Sequence, residues 1–515
     1  MPPAKPGRST RRAARPAASS APPPRSVLFI GSEALPFAKT GGLADVLGAL
    51  PVALGRIGWD VTVALPRYRG VTAGELVERF TLSVGGYTSD VGFFTAPLGE
   101  RTRALLVDDP ALFDREQLYG VGNADYTDNP RRFAVLVRAA LEFAARRGTR
   151  LSVVHAHDWQ AGLAPVYLRT LYASHPLLAG TPAVFTIHNL AYQGLFEPDW
   201  LPRLDLPWTL MSVEQMEFWG RVSFLKGGIN AADLITTVSP QYALEIQTPA
   251  GGSGFDGVLR RRAADFVGIL NGIDADRWDP SHDPNLPQPF SAADLSGKRA
   301  AKARLLETYG MARDDRAMAR PLIGMISRMV DQKGFDLIAE LAPELPGLNA
   351  GFVVLGTGEP RYQDLWRDLT ARYPDRIGAR IGFDEGLAHL IEAGADIFLM
   401  PSHFEPCGLN QMYSLRYGTV PIVRRVGGLA DTVVDYERNG RAGDGAVRPP
   451  NGFVFGEYSA AALRGAIDRA LAVFTDERAW RALQHAGMAE DHSWDRSARE
   501  YVKIYERAIA QRVAV

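Results

Sequence analysis

Apolar runs long enough for a buried strand, each ending in polar residues, alternate with helix-like stretches along almost the whole chain. In the first half they are VLFIGSEALP from Val27, WDVTVALP from Trp59, SVVHAH at 152–157, AVFTIH at 183–188 and LITTVS at 234–239. In the second half PLIGMISRM, GFVVLGTG, RIGARIGF, ADIFLMPS and TVPIVRRV are separated by helical stretches such as FDLIAELAPEL, RYQDLWRDLTARY, GLAHLIEAG and NQMYSLRYG. Strands without polar alternation are buried on both faces, and a βαβα order places helices on both faces of a parallel sheet. A stretch rich in Pro, Asp and Asn, from Asp274 to Pro289, separates the halves. The expected fold is α/β, with two Rossmann-like doubly wound domains in tandem.

The pentapeptide GGLAD occurs in both halves, at Gly41–Asp45 and Gly427–Asp431, each time between a strand-like and a helix-like run. Glycines at a helix start leave backbone N–H groups open to an anion, and the helix dipole adds partial positive charge there. One such loop per half suggests two lobes facing a shared cleft. Ligands of open α/β sheets lie beyond the carboxyl ends of the strands, which is where His155, His157, Asp158, His188 and Asn189 fall.

A length of 515 residues accommodates two to four domains, and 46% hydrophobic residues suffice for sizeable cores. The net charge of −1 gives no reason to expect nucleic acid or an acidic membrane as partner. The single cysteine excludes an internal disulfide and any cysteine-cluster zinc site, and fits a reducing compartment. No apolar run approaches the roughly 18 residues needed to span a bilayer, so the chain reads as a soluble protein. Residues 1–25 carry six basic and no acidic side chains among Pro, Ala and Ser, and read as a disordered tail. Arg and Ser without acids also describe an organelle transit peptide, although the early prolines oppose the amphipathic helix of such a peptide.

Six motifs occur in register: KTGGLADV at Lys39–Val46, HAHDW at His155–Trp159, TIHNLAYQG at Thr186–Gly194, LNGID at Leu270–Asp274, SRMVDQKGFDL at Ser327–Leu337, and HFEPCGLNQMYSLRYGTVPIVRRVGGLADTV at His403–Val433. Together they resemble the bacterial glycogen synthase and plant starch synthase family from about Val27 to the C-terminal helix. The resemblance implies a GT-B glycosyltransferase moving glucose from ADP-glucose to the 4-hydroxyl at the non-reducing end of an α-1,4-glucan such as glycogen, with retention of configuration. It implies a cytoplasmic enzyme with ADP-glucose as donor substrate and no metal or other cofactor. The expected layout is a basic tail (1–25), a first domain on the acceptor side (26–273), a second domain on the donor side (274–490) and a C-terminal helix (491–515) crossing back to the first domain.

The chemistry demands fixed donors around a leaving diphosphate, where negative charge builds as the sugar bond breaks. Arg328 and Lys333, five residues apart between a strand and a helix, pair a planar fork with a point charge. By spacing alone they read as a solvated surface pair; the resemblance assigns them to the diphosphate. Glu405 lies in a loop before a helix whose N–H groups at Gly408, Leu409, Asn410 and Gln411 suit a phosphate, with Cys407 beside the sugar. Read alone, Glu405 is a loop carboxylate capping a helix. By resemblance it is the principal catalytic residue, His188 faces the transferred sugar, Lys39 with Gly41 and Gly42 contacts the donor, and Asp45 orders that loop. Asp158 and Asn271 are carried over as substrate contacts, with structural roles equally open.

The sequence departs from the wider GT-B pattern at two positions. Tyr413 stands eight residues after Glu405, where many relatives carry a second Glu that holds the ribose, and His403 replaces an arginine common before the Phe-Glu-Pro-Cys-Gly run. Three signals read as decoys. Gly356-Thr357-Gly358 lacks the third glycine of a dinucleotide fingerprint, Asp274-Ala275-Asp276 reads as linker rather than a metal-binding DxD, and Cys407 has no activating base specified by spacing. Trp494, Ala498, Tyr501, Ile504, Tyr505 and Ala508 keep helical spacing, as a packing helix would. A glucan phosphorylase shares the architecture but requires a pyridoxal phosphate lysine. A transferase using another nucleotide sugar, or a non-catalytic glucan-binding homologue, are the remaining alternatives.

Overall fold

The computed structural model describes residues 25–122, 124–148, 150–437, 440–441 and 447–513. The basic tail, except Arg25, lies outside these residues. Strands β1 (Ser26–Ile30), β2 (Asp60–Pro66), β3 (Glu75–Val84), β4 (Tyr87–Gly99), β5 (Thr102–Asp108), β6 (Val153–His157), β7 (Ala183–Ile187), β8 (Leu234–Thr237) and β9 (Phe266–Gly268) form one sheet in the order β9-β8-β7-β6-β1-β2-β5-β4-β3. The seven strands from β9 to β5 run parallel, and β4 and β3 continue the sheet antiparallel. The register sets Phe29 beside Val63 on one flank and His155 on the other.

The second sheet, built from β10 (Leu322–Ile326), β11 (Gly351–Gly356), β12 (Ile377–Ile381), β13 (Ile397–Met400), β14 (Val420–Arg424) and β15 (Phe453–Phe455), is parallel throughout, in the order β12-β11-β10-β13-β14-β15. Its Val, Ile, Leu and Phe side chains are almost all buried, as expected for strands covered on both faces. Each lobe is therefore a doubly wound α/β layer.

The apolar-run criterion misses the region 75–108. Strand β3 alternates exposed and buried residues and carries Glu75, Glu78 and Arg79, so one face is wet and no continuous apolar run marks it. The opposite error occurs at VLFIGSEALP, where the strand stops at Ile30 and residues 31–41 form a loop leading into helix α1 (Gly42–Arg56).

Helix α2 (Pro240–Glu245) follows β8, α3 (Asn410–Arg416) follows the loop after β13, α4 (Gly427–Thr432) follows β14, and α5 (Trp494–Val513) ends the described chain. Trp494, Ala498, Tyr501, Ile504, Tyr505 and Ala508 are all buried on one face of α5. They pack with Val27, Phe29, Leu50 and Trp59 of the first lobe. The stretch from Asp274 to Pro289 contains no regular element but is pinned where it begins. The Ile273 N–H donates to the His492 carbonyl at 2.8 Å, and Trp278 stacks between His389 and Tyr413 with ring centroids 3.7 and 3.8 Å away.

Candidate active site

The first-lobe wall is built at the ends of β6 and β7. His157 Nδ1 lies 3.0 Å from His188 Nε2, and the His188 N–H donates to Asp158 Oδ1 at 2.7 Å. Asp158 adopts a left-handed φ of 55° at the strand-to-helix turn, a conformation that costs a non-glycine residue energy and that turns its carboxyl under the His188 backbone. Burial pushes the Asp158 carboxyl up to about 7, even with N–H donors from His188 and Asn189. Burial also takes His188 down to about 3, and holds His155 and His157 well below the usual imidazole value with help from the neighbouring imidazoles. All three imidazoles are neutral in the working range. His155 serves the interior, bonding Tyr505 of α5 at 2.8 Å and Thr186 at 2.6 Å.

The second-lobe wall is built from the loops after β10 and β13. Lys333 Nζ lies 2.6 Å from Glu405 Oε2, and the Ser402 hydroxyl donates to the same oxygen at 3.0 Å. Gly334, at φ 79°, passes so close to the Pro401 carbonyl that a Cβ there would come within 2.2 Å of the oxygen. That close approach sets the Lys333 turn against the Glu405 loop. Arg328 extends from the same turn, exposed, with one long hydrogen bond of 3.3 Å to Gln332. Gly356 and Gly358 abut the Ser327 and Met329 carbonyls on either side of Arg328, so the Gly-Thr-Gly run seats this turn by close backbone packing.

The two walls meet directly. The Ser239 hydroxyl donates to the Pro406 carbonyl at 2.7 Å, Cys407, Met412 and Tyr413 pack into the first-lobe core, and the Asn271 backbone faces the Cys407 thiol. Asn271 Oδ1 is buried without a partner among the described residues. Burial drives the Cys407 thiol far up, which excludes a thiolate nucleophile. Gly408 takes a left-handed φ of 71° just before α3. The fully buried Gln411 side chain staples the loop by donating to the Cys407 and Gly408 carbonyls, both at 3.1 Å, and its Oε1 is buried without a partner among the described residues. Leu409 packs its side chain against the first-lobe core.

The glycine loops differ from expectation. In each, a carboxylate of the protein itself already occupies an N–H group expected to be open to an anion. Glu33, 3% exposed, accepts from the Thr40 N–H at 2.5 Å, the Gly41 N–H at 3.1 Å, the Thr40 hydroxyl at 2.6 Å and the Tyr119 hydroxyl. Glu245 accepts from the Gly427 N–H at 2.9 and 3.1 Å. The loops also serve different ends. A Cβ at Gly41 or Gly42 would meet nothing within 4 Å, whereas at Gly427 and Gly428 it would strike the Glu405 and Cys407 carbonyls at 1.9 and 2.2 Å. The first loop is open surface beside Lys39, which pairs with Asp45 at 2.7 Å, and the second is a close-packed support for the Glu405 loop.

Comparison with known proteins agrees with this geometry. Residues 26–261 match the family described as starch synthase catalytic domain, and residues 312–481 match glycosyl transferases group 1. A glycogen synthase of Anaeromyxobacter dehalogenans (strain 2CP-C) is 51% identical over 93% of this chain and 98% of its own length. The chain belongs to the glycogen and starch synthase family. A glycogen synthase of Koribacter versatilis is 46% identical over 94% of this chain and 98% of its own. The catalytic domain of starch synthase IV from Arabidopsis thaliana, solved bound to ADP and acarbose, superposes with a TM-score of 0.83 at 34% identity, over 94% of this chain and 99% of that one. Sucrose-phosphate synthase from Thermosynechococcus elongatus shares the fold, with a TM-score of 0.58 at 16% identity over 95% of this chain and 100% of that one. The chain is a GT-B glycosyltransferase.

Within this synthase, the positions that depart from the wider GT-B pattern have structural partners. Tyr413 is buried, one ring face covered by Trp278, with Asp45 of the first glycine loop near its hydroxyl. His403 stacks on Tyr458 at 4.5 Å, and Arg424 donates to the His403 carbonyl at 2.5 Å, so a cation still reaches this loop from β14. Asp274 accepts the N–H groups of Asp276 and Arg277, the hydrogen bonding of a turn. Among the described residues no group of three or more His, Cys, Asp or Glu is arranged to hold a metal ion, and no helix is long and apolar enough to cross a membrane. Glu33, Tyr119, Ser239, Glu245 and Ser402 take part in the site without having been singled out by motif. Ser32-Glu33 directly before the Lys39 loop was the one local signal available.

Proposed function

We propose that the chain transfers glucose from ADP-glucose to the 4-hydroxyl at the non-reducing end of an α-1,4-glucan, retaining configuration and releasing ADP, as a cytoplasmic enzyme without metal or other cofactor. The observation that carries this reading is the Lys333–Glu405 pair at the carboxyl ends of the second sheet, across the Ser239–Pro406 junction from His188 and Asp158. Lys333 and Arg328 bind the diphosphate and stabilise the charge that builds on it as the sugar leaves. Glu405 sits on the sugar side, where its carboxylate balances positive charge developing on the ring. His188, neutral, hydrogen-bonds a sugar hydroxyl, and Asp158 fixes the His188 backbone. Lys39, with Gly41, Gly42 and Asp45, closes the donor site from the first lobe, and the N–H groups of Gly408, Leu409 and Gln411 face the phosphates. Cys407 supplies a small packing surface, and the orphaned Asn271 Oδ1 accepts from a donor hydroxyl.

The test supplies ADP-glucose or UDP-glucose with a glycogen primer and follows glucose incorporation and nucleotide release, with Glu405→Ala as control. Incorporation from ADP-glucose that the control lacks supports the reading. No incorporation from either donor, or equal activity in the control, overturns it. A strong preference for UDP-glucose transfers the assignment to another nucleotide sugar.

A further inference from the structure

Two short helices, one from each lobe, cap each other. Helix α2 leaves the end of β8, the strand beside β7, whose end carries His188. Helix α4 leaves β14 and packs its first two glycines onto the Glu405–Cys407 backbone. The Gly427 N–H at the start of α4 donates to both oxygens of Glu245 at the end of α2, at 2.9 and 3.1 Å. The Gln241 N–H near the start of α2 donates to Asp431 Oδ2 in the last turn of α4, at 2.9 Å. The Gln241 side chain donates to Glu245 Oε1 at 3.0 Å, so one residue touches both carboxylates. Ser239, the N-cap of α2, completes the junction through the Pro406 carbonyl.

We infer that Glu245 and Asp431 are positioning residues for glucosyl transfer: as reciprocal helix caps across the lobe junction they hold the Glu405 loop in register with the His188 wall. This rests on the transfer reading above. Each carboxylate accepts from an N–H at the start of the other lobe's helix, a group that helix leaves without an intrahelical partner, so parting the lobes would expose two helix starts and two carboxylates at once. The contact is also rigidly transmitted. Gly427 and Gly428 have no room for a Cβ against the Glu405 and Cys407 carbonyls, so any shift of the α4 start moves the Glu405 backbone with it. A misplacement of about 1 Å at a reacting group costs about 10²-fold in rate, the order expected when the clasp opens.

The test compares Glu245→Ala, Glu245→Gln, Asp431→Ala and the double alanine variant of the full chain. A glutamine oxygen still accepts from Gly427, so Glu245→Gln should stay within about 3-fold of the parent, a loss smaller than one net hydrogen bond. Glu245→Ala should lose about 10²-fold in kcat with donor KM changed less than about 3-fold, and the double variant should fall little further than either single one. Equal loss in the Gln and Ala variants, additive losses, or a change confined to KM would overturn the proposal. Spin labels on exposed residues of the two lobes give a readout independent of turnover. The inter-lobe distance distribution should broaden in Glu245→Ala and narrow again in Glu245→Gln, and unchanged distributions overturn the clasp even if no transfer is seen with any donor.

Discussion

Lys333 Nζ and Glu405 Oε2 are 2.6 Å apart, so the cation proposed to bind phosphate is paired with the carboxylate proposed to face the sugar. On the proposed reading a bound diphosphate shares or draws away this ammonium and releases Glu405 toward the ring. Glu405→Gln is expected to lower kcat by about 10²–10⁴-fold with donor KM unchanged or lowered, because Lys333 is freed for the phosphates. Lys333→Ala is expected to lower kcat by about 10²–10³-fold and to raise donor KM as well. Steady-state kinetics on both variants check this, and a rise in donor KM for Glu405→Gln matching that of Lys333→Ala would sink it.

Glu33 is the anion that orders the Lys39 loop. It bonds Thr40, Gly41 and Tyr119, and the Lys39–Asp45 pair sits on the loop so fixed. Glu33→Gln keeps an acceptor but brings an amide N–H to face the N–H groups of the loop, while Glu33→Ala leaves them unpaired. Both are expected to raise the donor KM by about 10-fold, the equivalent of one to two hydrogen bonds, with kcat for bound donor changed much less. A fall in kcat at constant KM would show that Glu33 acts on the chemistry instead.

What the sequence made legible follows from locality. Parallel strands buried on both faces announce themselves as apolar runs, so all five second-lobe strands read as such are present, while β3, wet on one face, escaped. The spacing of Trp494, Ala498, Tyr501 and Tyr505 identified the buried face of α5 because helical periodicity is a local property. The glycine loops were misread for the complementary reason. Whether an N–H is open depends on what approaches it, and Glu245 reaches Gly427 across 182 residues of chain. Motif resemblance named Lys333 and Glu405. It could not name Ser402 or Glu33, whose parts are set by where loops from distant strands converge.

The His157–His188 pair fixes which nitrogen His188 offers. Both rings are neutral, and His157 Nε2 is buried without a partner among the described residues. An orphaned acceptor costs less than an orphaned N–H, so the shared proton sits on His157 Nδ1 and donates to His188 Nε2. His188 then carries its own proton on Nδ1, the nitrogen the proposed reading turns to a sugar hydroxyl. An asparagine amide N–H occupies the Nδ1 position and a glutamine the Nε2 position, so His188→Asn should retain about 10-fold more kcat than His188→Gln, the value of one hydrogen bond. The reverse order would place the proton on Nε2.

The face of α5 against the first lobe contributes to folding rather than chemistry. Trp494 and Tyr501 are buried at 5% and 0% exposure among β1 and α1 side chains. Trp494→Ala should lower stability by about 3–5 kcal/mol, read as a fall in the denaturation midpoint at constant slope. Tyr505→Phe removes only the hydroxyl bonded to His155 and should cost about 1 kcal/mol. Equal costs for the two would mean that α5 is loosely docked.

Asp158 and His188 predict where activity responds to pH. With His188 at about 3 and Asp158 at about 7, the member of this pair that titrates near neutrality is the carboxyl. If the anion is needed to hold the His188 N–H, kcat should fall as pH drops through 7, and Asp158→Asn should abolish that acid limb at a lower plateau, while His188→Asn keeps it. Stability runs the other way. The folded carboxyl binds its proton at about 7 and the unfolded one at about 3.8, so the cost of burying the charge grows as pH rises between those values and is complete above 7. Asp158→Asn should therefore be more stable than the parent by up to about 4 kcal/mol at pH 8, with the gap closing toward pH 4. Denaturant midpoints for the two proteins across that range provide the measurement, and a gap that widens on acidification would show that the Asp158 carboxylate is stabilised, not penalised, by its place under His188.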